Sequence, residues 1–368
     1  MKSTFLTFGL RSTYIVGFGF ASFLSIGTNA LGATSVPTDA EVLKALATKG
    51  MDHHLKEVAE KAEILQKNAQ ILCENKNKKS LEKAQNSWKA AYFSWRAASP
   101  YLVGPADELK LDYKLGGWKS NDTIMEAVTS SNEYDYLRDN IEMRGYAAAE
   151  YILFVPQDAT AVTTTERCSH LIDVTEEIAD LTKKAKEKWD NNFKEGFITA
   201  GNGLPYMVPG DALSLVVAEI LNTTEVLLRD RIGLPSNFFN GEAHPELLEA
   251  WHSKSSLNAI KAAFNGLKTS LNGDANASIT QLIATRDGLT HKKNPALAKN
   301  IEKHLEKIQK ILNNLSNEGP NLHSAIANDP ATLKKLYKQL QKLQENLEQT
   351  VLALELDIRA GLEAQLTQ

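Results

Sequence analysis

Arg144-Gly145-Tyr146-Ala147-Ala148-Ala149-Glu150-Tyr151-Ile152-Leu153-Phe154 reads as a helix. Tyr146, Ala149 and Leu153 recur at three- and four-residue spacing, three alanines raise helix propensity, and Pro156 marks the end. Glu150 falls in the apolar half of this stretch. A carboxylate in such a place needs a cation, a metal or several hydrogen bonds. The simplest provision is an Arg or Lys from a neighbouring helix.

Outward from this stretch, almost every long segment carries helical periodicity. No alternating apolar run and no Val/Ile-rich block between turns suggests a sheet, so the fold class is all-α. The first helix is expected from Thr38, with Glu41 as its capping-box partner, to about Glu74, with Gly50 as a point of kinking. The second covers about 80–98, and its Trp88, Tyr92 and Trp95 share one face, as core residues do. An irregular, aromatic-rich stretch from Ser99 to Lys119 follows, broken by Pro100, Gly104, Pro105, Gly116 and Gly117. Further helices are expected at about 121–130, 135–154, 164–194, 211–231, 246–271, 295–315 and 330–362. The break at 196–209, with Gly201, Gly203 and Pro205, divides the chain into two helical-bundle domains, 34–200 and 201–368.

Residues 1–33 read as a secretory signal peptide. Lys2 and Arg11 form the positive region, Tyr14 to Ile26 carries no charge, and Ala30 and Gly32 suit the cleavage site. The expected location is therefore periplasmic or secreted, with no transmembrane segment after cleavage. The formal net charge of −4, without a basic tract, favours no nucleic-acid partner. Cys73 and Cys168 are the only cysteines, and export favours a disulfide between them over two buried thiols. Eight histidines are scattered, and none forms a zinc-protease helix motif. His54 with Glu57, and His170 with Asp173, are spaced to share a helix face, a pattern that chance also produces. The residues themselves assign no cofactor.

Several features in order resemble the imelysin family. They are Cys73 near a helix end, Trp88 and Trp95 on the next helix, Tyr101-Leu102-Val103-Gly104-Pro105, and Trp118. Glu166-Arg167-Cys168 with Trp189, Arg229 to Pro235, and Glu249 to Leu257 fit as well. The 144–154 stretch is similar to that family's signature helix, GxHxxE. The resemblance spans essentially the whole mature chain. It implies two helical bundles in the bacterial cell envelope and a family named for an insulin-cleaving metallopeptidase and tied to iron uptake. It also implies a signature His and Glu as metal or catalytic residues, iron or zinc as the metal, and envelope iron-uptake proteins as partners. Here Gly145 and Glu150 match, but Ala147 stands at the histidine position. Ser99 stands where an acidic residue is expected, and Trp118-Lys119 where Trp-Pro is common.

An alanine methyl cannot ligate a metal, and one carboxylate rarely holds a site. The expectation is that an ion pair has replaced the metal at Glu150, with Arg96, Lys119 or Arg144 as the cation. The first functional reading is a binding protein without peptidase activity, its site formed by Glu150, Arg144, Gly145, Arg96, Ser99, Trp118 and Lys119. The second is a metallopeptidase that uses Glu150 with His54 or His170. The third is a structural envelope protein with a vestigial site. Amino-terminal sequencing of exported protein is expected to find a start between Leu31 and Thr34. Retention of the preceding residues would point to a membrane anchor instead.

Overall fold

Thr38 caps the first helix. Its hydroxyl accepts from the Glu41 amide at 3.2 Å, and the Glu41 carboxylate accepts from the Thr38 amide at 2.8 Å. The computed structural model describes residues 36–130, 140–156, 158–238, 241–286 and 292–358. The expected signal peptide lies outside them. Among the described residues the regular elements are all helical. The main helices are α1 (Asp39–Ala45), α2 (Asp52–Asn75), α3 (Lys78–Ala98), α4 (Asp122–Ser130), α5 (Gly145–Phe154) and α6 (Thr165–Lys188). They continue with α7 (Pro209–Glu225), α8 (Ser256–Asn272), α9 (Ile279–Thr285), α10 (Leu297–Leu315) and α11 (Pro330–Ala353). None is long and apolar enough to cross a membrane.

Helix α2 packs along α3 and α6, α8 crosses α3, and α10 pairs with α11. The α3–α8 crossing is close because Gly266 carries no side chain: a Cβ there would lie 2.0 Å from the Ala97 carbonyl oxygen. The apolar side chains form two clusters. One takes α2 from Val58 onward with α3, α5 and α6, and also Ala250 and Ala259. The other takes Val42 to Leu55 together with Trp189, Phe193, α7 and the helices that follow. The first expected helix therefore serves both clusters. Between α1 and α2 the chain forms a π-helical segment, Leu46–Met51, at the point where Gly50 suggested a kink.

Of the helix expected at about 135–154, residues 135–139 lie outside the described residues, Ile141–Met143 form a 3₁₀ turn, and α5 begins at Gly145, which adopts φ +64 and where a Cβ would lie 2.7 Å from Leu115 backbone atoms. The helix expected from 246 begins at Ser256. Before it, Ala250 and Lys254 hold left-handed φ values of 50 and 54, and the Ser255 amide bonds the Ala250 carbonyl at 3.0 Å. The stretch 248–255 is thus a tight loop rather than a helical turn.

Cys73, near the end of α2, and Cys168, near the start of α6, are joined as a disulfide with a Cα–Cα distance of 5.7 Å. Closing a loop across a separation of 95 residues stabilises by at most about 4–5 kcal/mol in the chain-entropy model. The Cys73→Ser, Cys168→Ser double variant is expected to unfold at clearly lower urea than the wild type. Adding reductant should move only the wild-type midpoint; coincident midpoints without reductant would refute the cross-link.

Candidate functional site

The signature helix α5 lies against α3. The Trp88 indole donates to the Tyr146 carbonyl at 2.9 Å, and the Tyr92 and Trp95 rings pack near the Tyr146 ring. Ala147 and Glu150, three residues apart, occupy one side of α5. Both are buried. The Ala147 methyl faces Gly117, where a Cβ would sit 3.9 Å away.

On the Glu150 side stands the 248–255 loop. The Ser253 amide donates to Glu150 Oε1 at 2.8 Å. That loop is tied down twice more: the His252 ring meets Asp122 on α4 at 3.0 Å, and the Glu249 side chain turns fully inward. Glu249 Oε2 accepts from the Tyr92 hydroxyl at 2.7 Å and lies 3.3 Å from Arg96 Nε and 3.7 Å from Arg231 Nε. Arg96 comes from α3, and Arg231 from a π-helical segment, Val226–Gly233, that follows α7. Both arginines are buried. The Arg231 guanidinium also stands over the Trp118 ring at 5.1 Å. Trp118 in turn lines a cavity of about 280 Å³ with Gly117, Lys119, Ile141, Glu142 and Leu247.

The expected ion pair at Glu150 is therefore corrected. Arg96 pairs with Glu249, and Arg144 donates from Nε to Glu177 at 3.1 Å. Lys119 lines the cavity and makes no ion pair with Glu150. An amide, not a cation, serves the Glu150 carboxylate, and it comes from the 248–255 loop, where the sequence pattern predicts a helix. Gly145 provides the turn into α5, and buried Ser99 sits in a 3₁₀ turn, Ser99–Tyr101. Neither histidine of the metallopeptidase reading reaches Glu150. His170 Nε2 bonds the Met143 carbonyl at 2.9 Å, and the His54 ring stacks on Tyr101. Among the described residues, no group of three potential metal ligands includes Glu150. Sequence reasoning missed Tyr92, Arg231 and Glu249 as members of the site. Glu249 and Arg231 stood within the motif stretches, and the spacing carried no sign that they meet.

Residues 52–350 match the model of the M75 peptidase family, described as imelysin. The chain belongs to the imelysin family. An imelysin-like protein from Psychrobacter arcticus 273-4 shares the fold, with TM-score 0.67, 16% identity, and coverage of 87% of this chain and 96% of that one. A protein from Parabacteroides distasonis ATCC 8503 called "putative iron-regulated protein A precursor" does so with TM-score 0.71, 15% identity, and coverage of 88% and 97%. No curated protein matches the chain.

Burial pushes the Glu150 carboxyl up to about 7; the Ser253 amide and hydroxyl act against this, while Glu249 and Asp122 add to it. Burial first, and then Glu249, push the Tyr92 hydroxyl well above its ordinary value, so it remains a donor. Because Glu150 is raised, folded protein holds its proton longer than unfolded chain. Stability from this group is complete below 4.5 and falls as pH rises to about 7, by up to about 3 kcal/mol. Glu150→Gln keeps an acceptor for the Ser253 amide and cannot ionise. Its stability relative to wild type is expected to improve across that window and to level off above it, in urea unfolding at several pH values. A difference independent of pH would show that Glu150 titrates normally.

Proposed function

We propose that this imelysin-family protein is exported to the cell envelope and acts as a non-catalytic binding component linked to iron supply. Its ligand is an oxyanion-bearing small molecule of the hydroxycarboxylate type. One observation carries the ligand class. Arg231 Nε and Nη1, Arg96 Nε and Glu249 Oε1 are all buried without a hydrogen-bond partner in the protein. Buried polar atoms are rarely left so, and two guanidinium groups share a single carboxylate oxygen here. A carboxylate would satisfy the free arginine donors, and a neighbouring hydroxyl would serve the free Glu249 oxygen. The cavity beside Trp118 offers room for such a molecule at the edge of the cluster.

The absence of catalysis is inferred from chemistry. Metal-dependent peptide hydrolysis needs about three protein ligands and a base beside an open position. Ala147 removes the signature ligand, and the Glu150 oxygen is engaged by an amide. Export is supported by the leader-like residues 1–33 and by the disulfide. The link to iron rests on the family resemblance and on the name of the Parabacteroides protein, which speaks of regulation by iron. Hydroxycarboxylates chelate ferric iron, which makes the two parts of the proposal compatible.

Citrate and ferric citrate are the probes. Either should raise the melting temperature of the wild type and leave that of Arg231→Gln unmoved. The same protein should leave casein uncut with or without zinc. Equal shifts in both proteins, or none in either, would mean that ordered water fills the cluster. Chelator-sensitive cleavage lost in Glu150→Ala would overturn the non-catalytic reading.

A further inference from the structure

A second constellation lies away from the signature helix, at the start of α2. His53, His54 and Glu57 each place one potential ligand atom within 4.8 Å of the others. His53 Nε2 stands 3.6 Å from Glu57 Oε2. That pair alone would be an ordinary contact on a solvated helix face. His54 is different. It is buried, its ring is held against Tyr101 at 4.6 Å, and its Nδ1 has no hydrogen-bond partner in the protein. A packed imidazole with an unpartnered ring nitrogen is a ready-made ligand.

The surroundings are those of an open site. His53 and His54 line a cavity of about 170 Å³ that also receives Lys49, Tyr101, Thr269 and Asp274. The Lys49 ammonium, which lines the same cavity, is paired with Asp274 at 2.6 Å. Directly upstream, the π-helical segment Leu46–Met51 changes the helical phase with which these residues meet the cavity. Such insertions occur frequently at functional sites.

We propose that His53, His54 and Glu57 form a binding site for a divalent first-row transition metal, independent of Glu150. Two imidazoles and one carboxylate suit zinc, ferrous iron, cobalt or nickel and leave positions open to water or a bound molecule. Calcium and magnesium, which prefer oxygen ligands, do not fit this set.

The test is calorimetric titration of chelator-stripped, disulfide-intact mature protein with zinc chloride alone. One zinc ion is expected to bind at micromolar concentration. His53→Ala and Glu57→Gln replace side chains that are not buried, so both variants should keep the wild-type circular dichroism and melting temperature. Each should bind zinc roughly tenfold or more weakly, because each removes a direct ligand. Glu150→Gln should bind as the wild type does. Absence of binding up to submillimolar zinc would overturn the proposal, as would unchanged affinity in both α2 variants. Loss of binding in Glu150→Gln would instead place the metal at the signature helix, and would overturn it equally.

Discussion

The buried carboxylate of Glu249 joins parts of the chain far apart in sequence. It draws Tyr92 and Arg96 from α3, and Arg231 from beyond α7, onto one oxygen. Taking two guanidinium groups out of water is costly, and only a well-placed anion offsets it. The loop that carries Glu249 must therefore stay folded against α3. The same loop delivers the Ser253 amide to Glu150 and sets His252 on Asp122. One electrostatic anchor thus fixes the loop that serves Glu150 on the signature helix.

That organisation explains how an imelysin signature persists without its histidine. Ala147 is buried beside Gly117, where a Cβ would lie 3.9 Å from its methyl. Glu150 holds its proton to near neutrality and accepts from a backbone amide. The positive charge of the region lies on the buried Arg96 and Arg231. Where the family resemblance implies a histidine and a glutamate around a metal, the unused hydrogen-bonding capacity here belongs mainly to arginine. The chemistry this favours is recognition of an anion.

Much of the architecture could be read from local patterns. The Thr38–Glu41 capping box, the aromatic face of α3, the end of α2 and the limits of α3 and α4 all arise from interactions within a few residues. The α8 boundary did not. Glu249-Ala250-Trp251-His252-Ser253-Lys254 has acceptable helix propensity, and nothing local demands a left-handed Ala250 or Lys254. The bonds that hold those conformations come from α3, α4 and α5. Gly145 was legible as part of the motif, yet its effect on the helix start depends on Leu115, thirty residues earlier. Tyr92 belonged to the core as its spacing implied, but spacing says nothing about where a hydroxyl points. The missing cation at Glu150 is the same failure: an apolar helix face announces that a carboxylate needs a partner without naming it.

The anchor can be tested by a single substitution. Glu249→Gln preserves shape and removes the charge that the two arginines share. Equilibrium urea unfolding at neutral pH should show a loss of about 3–5 kcal/mol, the usual cost of leaving buried charge uncompensated. A loss within about 0.5 kcal/mol, typical of a surface change, would contradict the role assigned to Glu249.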